Sequence, residues 1–106
     1  MKLWVDDIRR PPEGYLWAKS VNMAKVLIKA YEPEENGVFN SPFELIDIDH
    51  DAGDYVNQGG DYIKLLDWLE ETGRNYPIRI HSMNAVGAEN MRRIIQRNNW
   101  KEVKGV

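Results

Sequence analysis

The sequence predicts an α/β domain, a three-layer sandwich in which about three helices flank a parallel sheet of four to five strands. Short apolar runs typical of buried strands alternate along the chain with segments whose apolar residues recur at helical spacing. Such alternation favours parallel pairing through right-handed crossovers, which place helices against the sheet. Because the 106 residues contain no linker or low-complexity stretch, we expect a single domain over residues 1–106.

Apolar runs bounded by turn-forming residues mark the strands. In chain order the candidate strands are residues 2–7, 15–18, 43–49 and 78–82, with a short fifth strand over 100–106. The segment 8–14 contains two prolines and a glycine, which break a helix. We therefore expect the first crossover to be a loop where a helix would otherwise lie.

Three segments with apolar residues at helical spacing are the predicted helices. The first follows Ser20, a good N-cap residue, and runs to about Tyr31. The second spans residues 61–71 and ends at a Thr-Gly pair, and the third spans residues 87–98. Each predicted helix follows a strand, as crossover units require.

Composition and charge exclude several classes of function. The chain has no cysteine, which excludes disulfides, zinc–thiolate sites and cysteine nucleophiles. A net charge of -3 argues against general nucleic-acid binding, so we expect no double-stranded DNA partner. No apolar run approaches the roughly 20 residues of a membrane helix, and the first residues do not resemble a secretory signal. We therefore expect a cytoplasmic protein with no membrane partner.

Acidic residues and histidines gather where the predicted strands end. Six of the eight aspartates lie at positions 6–7 or within 47–54, and the two histidines are His50 and His81. In an open parallel sheet the carboxyl ends of the strands meet at one edge, where ligands bind. Clustered like charge costs stability unless a cation, protons or hydrogen-bond donors compensate. We therefore predict a functional site at this edge, in preference to a set of unrelated turns and caps.

The residue types at this edge suit phosphate chemistry. Carboxylates without cysteine favour a hard cation such as Mg²⁺ or Mn²⁺, and histidine can act as acid or base near neutrality. Arg9 and the start of the third helix could hold a phosphate. Alternatives stay open: His81 could be a satisfied buried histidine and His50 a loop histidine bonded to a carbonyl. Asp47 could join the acids, be buried and paired, or lie in solvent.

Three motifs, in order, resemble those of a known family. They are Leu3-Trp4-Val5-Asp6-Asp7-Ile8-Arg9-Arg10-Pro11-Pro12, Asp49-His50-Asp51-Ala52-Gly53-Asp54 and His81-Ser82-Met83-Asn84-Ala85-Val86-Gly87. An acidic pair after the first strand, an Asp after the third and a Ser after the fourth are similar to the pattern of response-regulator receivers. The motifs themselves look like those of the cyclic-phosphate processing receiver domain family. The resemblance implies a receiver-like, flavodoxin-like fold and a cyclic phosphate or cyclic nucleotide as substrate.

The leading hypothesis is a metal-assisted phosphoesterase that opens a cyclic phosphate. By the resemblance, Mg²⁺ or Mn²⁺ would be held by three aspartates, with two more as further ligands: Asp6, Asp7 and Asp49, then Asp51 and Asp54. The candidate catalytic residues are His50 and His81 as acid and base, and Asp49, which could instead attack phosphorus directly. The candidate substrate-binding residues are Arg9, Ser82, Asn84 and Gly87.

Two other functions stay open. One is a non-catalytic module that binds a cyclic nucleotide or a phosphorylated partner in the same pocket, and the other is a degenerate receiver that accepts phosphate on Asp49. The expected ligand is a phosphorylated small molecule, a cyclic nucleotide or an RNA end. The basic segment 92–104 could serve a polyanion such as an RNA end, although a solvated helix face is the favoured interpretation. The oligomeric state does not follow from the residue types.

Overall fold

The computed structural model describes residues 1–32, 34–35, 38–39 and 43–104. Over these residues there are six strands: β1 (Lys2–Val5), β2 (Tyr15–Ala18), β3 (Glu34–Glu35), β4 (Val38–Phe39), β5 (Leu45–Ile48) and β6 (Ile78–Ile80). Four of them form one parallel sheet in the order β2-β1-β5-β6, and β3 and β4 form a separate antiparallel pair. This order is that of a flavodoxin-like fold, which confirms the predicted α/β class.

The predicted fifth strand is reduced to one bridge in the described part of the chain. Glu102 pairs with Ile78 of β6 in parallel fashion. Two backbone hydrogen bonds hold this contact: Ile78 N–H donates to Lys101 O at 2.9 Å, and Val103 N–H donates to Ile78 O at 2.8 Å. The last two positions of that prediction, 105 and 106, lie outside the described residues.

Helices α1 (Val21–Tyr31), α2 (Ile63–Glu71) and α3 (Ala85–Arg97) follow β2, β5 and β6. Ser20 caps α1 as predicted, because its side chain accepts a hydrogen bond from Met23 N–H at 3.0 Å. Helix α2 begins two residues after its predicted start at position 61. Helix α3 begins two residues before its predicted start at position 87. Among the described helices, none is both long and apolar enough to span a membrane.

A hydrophobic core lies between the helices and one face of the sheet. The strand residues in it share one side of the pleat, as Leu3, Ile46 and Ile78 do, and all three are fully buried. The same core contains buried residues from all three helices: Val21, Ala24, Ile28, Leu65, Leu66, Leu69, Met91, Ile94 and Ile95. The helices therefore form one layer on one side of the sheet.

The opposite face of the sheet carries a row of residues that β-pairing places side by side: Trp17, Trp4, Asp47 and Arg79. Tyr15 lies on the same face, opposite Lys2. Within the described residues no helix enters a core on this side, so the third layer differs from the predicted sandwich. The loop 8–14 contributes there instead, because Trp4 Nε1–H donates to Arg9 O at 2.8 Å. The physical reason is the proline-containing loop, which stands where a crossover helix would have covered this face.

Candidate functional site

Three aspartates converge at the carboxyl ends of β1 and β5. Asp6 and Asp7 follow β1, Asp49 follows β5, and the register pairs Val5 with Ile48 immediately before them. One carboxylate oxygen from each of the three lies within 4.8 Å of the others. In the sheet β2 lies on one side of β1 and β5 on the other, so the strand order reverses at β1 and the cluster lies at the topological switch point where ligands of such sheets bind.

The donor set of this acidic cluster fits a divalent cation. Burial raises the pKa of Asp7, and the negative charges of Asp6 and Asp49 raise it further, while a hydrogen bond from its own backbone opposes them. A cation would relieve this repulsion, and three carboxylates supply the oxygen ligands that Mg²⁺ and Mn²⁺ prefer. Gly53 gives Asp7 its room, because a Cβ there would lie 2.2 Å from Asp7 Oδ2.

Asp6 is held rigidly within the cluster. Its side chain is 1% exposed, and its Oδ1 accepts hydrogen bonds from Ile8 N–H at 2.9 Å and Arg9 N–H at 2.8 Å. Its Oδ2 lies 2.9 Å from His81 Nε2. The proline-containing loop that replaces the first crossover helix thus starts with a turn that fixes one carboxylate of the cluster.

His81 bridges two buried carboxylates. Its Nδ1 lies 2.6 Å from Asp47 Oδ1, its Nε2 contacts Asp6, and its ring stacks on Trp4 with centroids 3.9 Å apart. Burial opposes the charged ring, but hydrogen bonds to Asp47 and Asp6 outweigh it and raise the pKa of His81. Because both ring nitrogens are occupied by carboxylates, His81 has no nitrogen left for a substrate. This differs from the predicted role as acid or base and suits the alternative of a satisfied buried histidine.

For Asp47 the sequence leaves three alternatives open. Its side chain is 1% exposed and paired: besides His81 it accepts from Tyr15 O–H at 3.4 Å and lies 3.8 Å from Arg79 Nη1. The signal in the sequence was its strand position, two residues before Asp49 and on the same side of β5. The structure thus selects the buried, paired alternative.

His50 follows β5, and its ring lies against the start of α3 in surroundings that differ from those of His81. Its Nδ1 lies 2.7 Å from Asp51 Oδ1, and Asn84 Nδ2 lies 3.3 Å from the same carboxylate oxygen. The hydrogen bond with His50 lowers the pKa of Asp51. Within the described residues His50 Nε2 has no hydrogen-bond partner, although the ring is only 15% exposed. His50 therefore offers one oriented imidazole nitrogen for chemistry.

The predicted substrate-binding residues on α3 have structural partners. Asn84 Oδ1 accepts from Gly87 N–H at 2.9 Å and caps the helix, and Ser82 Oγ accepts from Asn84 N–H at 3.0 Å. A Cβ at Gly87 would lie 2.4 Å from His50 Cγ, so the room at this glycine is filled by the imidazole ring. These contacts differ from the direct phosphate contacts expected of Asn84 and Gly87. The N–H of Gly87 already donates to Asn84, and the space beside Gly87 is already filled by the His50 ring.

Other predicted residues are distributed around this edge. Arg9 is exposed and its Nη1 donates to His81 O at 3.3 Å, which places a guanidinium beside the acidic cluster. Asp51 is bonded to His50, and Asp54 is exposed on the 3₁₀ turn Gly53–Tyr55. In the part of the chain that the structure describes, neither Asp51 nor Asp54 joins the other three acids in a common cluster.

The basic segment near the third helix is occupied by ion pairs. Arg92 Nε donates to both carboxylate oxygens of Glu102, at 3.0 and 2.9 Å. Arg97 donates to both carboxylate oxygens of Glu70, at 2.7 and 2.9 Å. These pairs agree with the interpretation of the segment as a solvated helix face.

Comparison with protein families gives a match that spans nearly the whole chain. Residues 1–97 match the family described as the cyclic-phosphate processing receiver domain. The matched range runs from before β1 to the end of α3 and includes the acidic cluster, His50 and His81. Searches of the curated proteins and of the solved structures gave no match.

Proposed function

Because the chain belongs to the cyclic-phosphate processing receiver domain family, we propose that it is a metal-assisted phosphoesterase that opens cyclic phosphodiesters. The observation that carries the proposal is the convergence of three carboxylates at the switch point of the sheet, within 4.8 Å of one another. Asp49 is followed directly by His50, the histidine whose second nitrogen has no partner in the described residues.

Asp6, Asp7 and Asp49 hold a divalent cation, Mg²⁺ or Mn²⁺, in this proposal. When bound, the cation supplies charge neutralisation for the phosphoryl oxygens. Asp6 keeps its position because two backbone N–H groups and His81 fix its oxygens. His81 is therefore a positioning residue, which acts on the site through Asp6.

Arg9 and Ser82 bind the remaining phosphate oxygens. The Arg9 guanidinium is anchored at the carbonyl of His81, and Ser82 is the next residue along the chain. A guanidinium can donate two parallel hydrogen bonds to a phosphate, and the Ser82 hydroxyl can still donate its proton while accepting from Asn84. Asn84 and Gly87 contribute indirectly, since they orient Asp51 and the His50 ring.

His50 is the acid–base group of the reaction. Its Nε2 takes a proton from a water molecule as the water oxygen bonds to phosphorus and the bond from phosphorus to one ring oxygen breaks. The same proton then passes from Nε2 to the leaving alkoxide, so the products are a phosphomonoester and a free hydroxyl. Asp51 orients the imidazole through Nδ1. Asp49 serves as a cation ligand in this proposal, because one of its carboxylate oxygens lies within 4.8 Å of those of Asp6 and Asp7.

A ring-opening assay tests the proposal. The protein is incubated with 2′,3′-cyclic and 3′,5′-cyclic nucleotides and with glycerol 1,2-cyclic phosphate, in Mg²⁺, Mn²⁺ or EDTA, and products are followed by ³¹P NMR. We expect a phosphomonoester in the presence of the cation and none in EDTA. Calorimetric binding of these compounds without any product would favour the binding module instead, and undiminished turnover in EDTA would contradict the role of the acidic cluster.

A further inference from the structure

A cavity of about 310 Å³ lies beside the acidic cluster, between the end of β2, the start of α1 and the turn after β5. Its volume is at the lower end of the range typical of small-molecule sites. Two aromatic residues, one methionine and three polar residues form its walls: Trp17, Tyr55, Met23, Lys19, Ser20 and Gln58. None of these residues belongs to the site assigned above.

Both aromatic walls of the cavity are tied to ligands of the acidic cluster. Trp17 Nε1–H donates to the main-chain oxygen of Asp6 at 2.7 Å. Tyr55 ends the 3₁₀ turn that begins at Gly53, the glycine against which the Asp7 carboxylate packs. The cavity therefore adjoins Asp6 and Asp7, and a molecule whose phosphate reaches these carboxylates can extend its remaining groups into it.

The residues around the cavity suit a planar aromatic group. Indole and phenol rings stack on nucleobases whatever the base, since every base has a π-face. Met23, 48% exposed, adds an adaptable apolar surface, and the amide of Gln58 can pair with the edge of a base. Lys19 Nζ lies 4.5 Å from the centre of the Trp17 ring, so the same wall also carries a positive charge.

We infer that this cavity binds the nucleobase of a cyclic nucleotide whose phosphate lies at Asp6, Asp7 and Asp49. The placement of the phosphate rests on the proposed function, whereas the aromatic walls are a separate observation. The inference selects nucleotides over cyclic phosphates that lack a base. It also makes Tyr55 and Trp17 specificity-determining residues, which the sequence motifs do not include.

The test compares substrates with and without a base. In Tyr55→Ala we expect KM for 2′,3′-cyclic AMP to rise about ten-fold, the size that loss of one stacking partner gives. KM for glycerol 1,2-cyclic phosphate stays unchanged, and Tyr55→Phe, which keeps the ring, behaves as the wild type. Val56→Ala is the matched control, because Val56 is the exposed neighbour of Tyr55 and does not line the cavity.

Equal changes in KM for both substrates, or no change for either, would overturn the inference. If no cyclic phosphate is hydrolysed at all, the proposed function fails and the cavity is judged by binding alone. Adenosine is then titrated in EDTA and followed by NMR at the Trp17 indole N–H. A shift that disappears in Tyr55→Ala supports the base site, and the absence of a shift in the wild type overturns it.

Discussion

His81 and His50 both follow the carboxyl-terminal end of a strand, but their surroundings differ. His81 lies between two carboxylates that are each 1% exposed, stacked on Trp4, with both ring nitrogens occupied. His50 has one nitrogen on Asp51, a carboxylate that is 61% exposed, and its ring lies against Gly87. The same side chain is therefore part of the folded framework in one region and available for chemistry in the other.

The difference teaches that hydrogen-bond partners decide the role of a histidine, more than its place in a motif. A ring held at both nitrogens transmits position to its neighbours, whereas a ring held at one nitrogen keeps the other for a proton. Four predictions separate the two regions by their effects on folding, turnover, metal affinity and titration.

The largest expected effect is on folding, from Asp47→Ala in the buried region. Removing this carboxylate leaves His81 and Arg79 without their shared partner, and breaking such a buried pair costs about 3–5 kcal/mol. The free energy of unfolding from urea denaturation measures the loss. Asp51→Ala is the control, for which we expect less than about 1 kcal/mol because the carboxylate is exposed. Equal losses in the two variants would remove the distinction between the regions.

The next effect is on turnover. His50→Ala removes the acid–base group, so we expect kcat for cyclic phosphate opening to fall on the order of a hundred-fold. KM changes little, but the thermal melting temperature falls, because Ala leaves empty the space that the ring, only 15% exposed, fills against Gly87. Steady-state kinetics and a melting curve, measured on the same preparation, compare His50→Ala with the wild type. Wild-type kcat in a folded His50→Ala protein would show that another group moves the proton.

A smaller effect is expected on metal affinity when the positioning histidine is changed. His81→Gln loosens Asp6, and loss of a hydrogen bond to a metal-binding carboxylate weakens affinity about ten-fold. Titration calorimetry with Mn²⁺ gives the dissociation constant, and His50→Gln is the matched variant, which we expect to bind Mn²⁺ as the wild type does. The comparison fails if the two variants lose affinity to the same extent.

The smallest effect is on the titration of Tyr15. Burial raises the pKa of Tyr15, and the charge of Asp47, which its hydroxyl contacts, raises it further. The neutral hydroxyl is therefore favoured, and tyrosinate forms at a higher pH than in an ordinary tyrosine. NMR of the ring carbon bonded to oxygen follows this titration. In Asp47→Asn we expect the titration to move to lower pH, and an unchanged curve would contradict the effect of Asp47 on the pKa of Tyr15.

Much of the fold follows from local patterns in the sequence. The four strands of the parallel sheet were predictable because short apolar runs end at turn residues, and the loop 8–14 because two prolines exclude a helix there. The short antiparallel pair β3 and β4 was not predicted. The alternation of strands and helices alone predicts helices on both faces of the sheet, and only the proline-containing loop 8–14 indicates that one face lacks its crossover helix. The single bridge at Glu102 also depends on long-range pairing with Ile78, for which the local sequence carries no signal.

The three carboxylates of the site were predictable from the sequence, whereas the residues that contact the site's side chains were less so. Strand ends alone bring Asp6, Asp7 and Asp49 together, because β1 and β5 are neighbours. The double contact of His81 depends on the register that pairs Asp47 with Arg79, which the sequence does not specify. Gly87 was predicted to be a substrate-binding residue, but a glycine cannot indicate whether a phosphate or the His50 ring fills the space beside it.

The acidic cluster is tested most directly by comparing two aspartates, one inside it and one on the exposed turn nearby. Cation-dependent opening of 2′,3′-cyclic AMP is measured by ³¹P NMR for the wild type, Asp7→Asn and Asp54→Asn. The Mn²⁺ affinity of each of the three proteins is measured as well. The proposed chemistry requires that Asp7→Asn lose both activity and Mn²⁺ binding while Asp54→Asn keeps both. Full activity in a folded Asp7→Asn protein would contradict it.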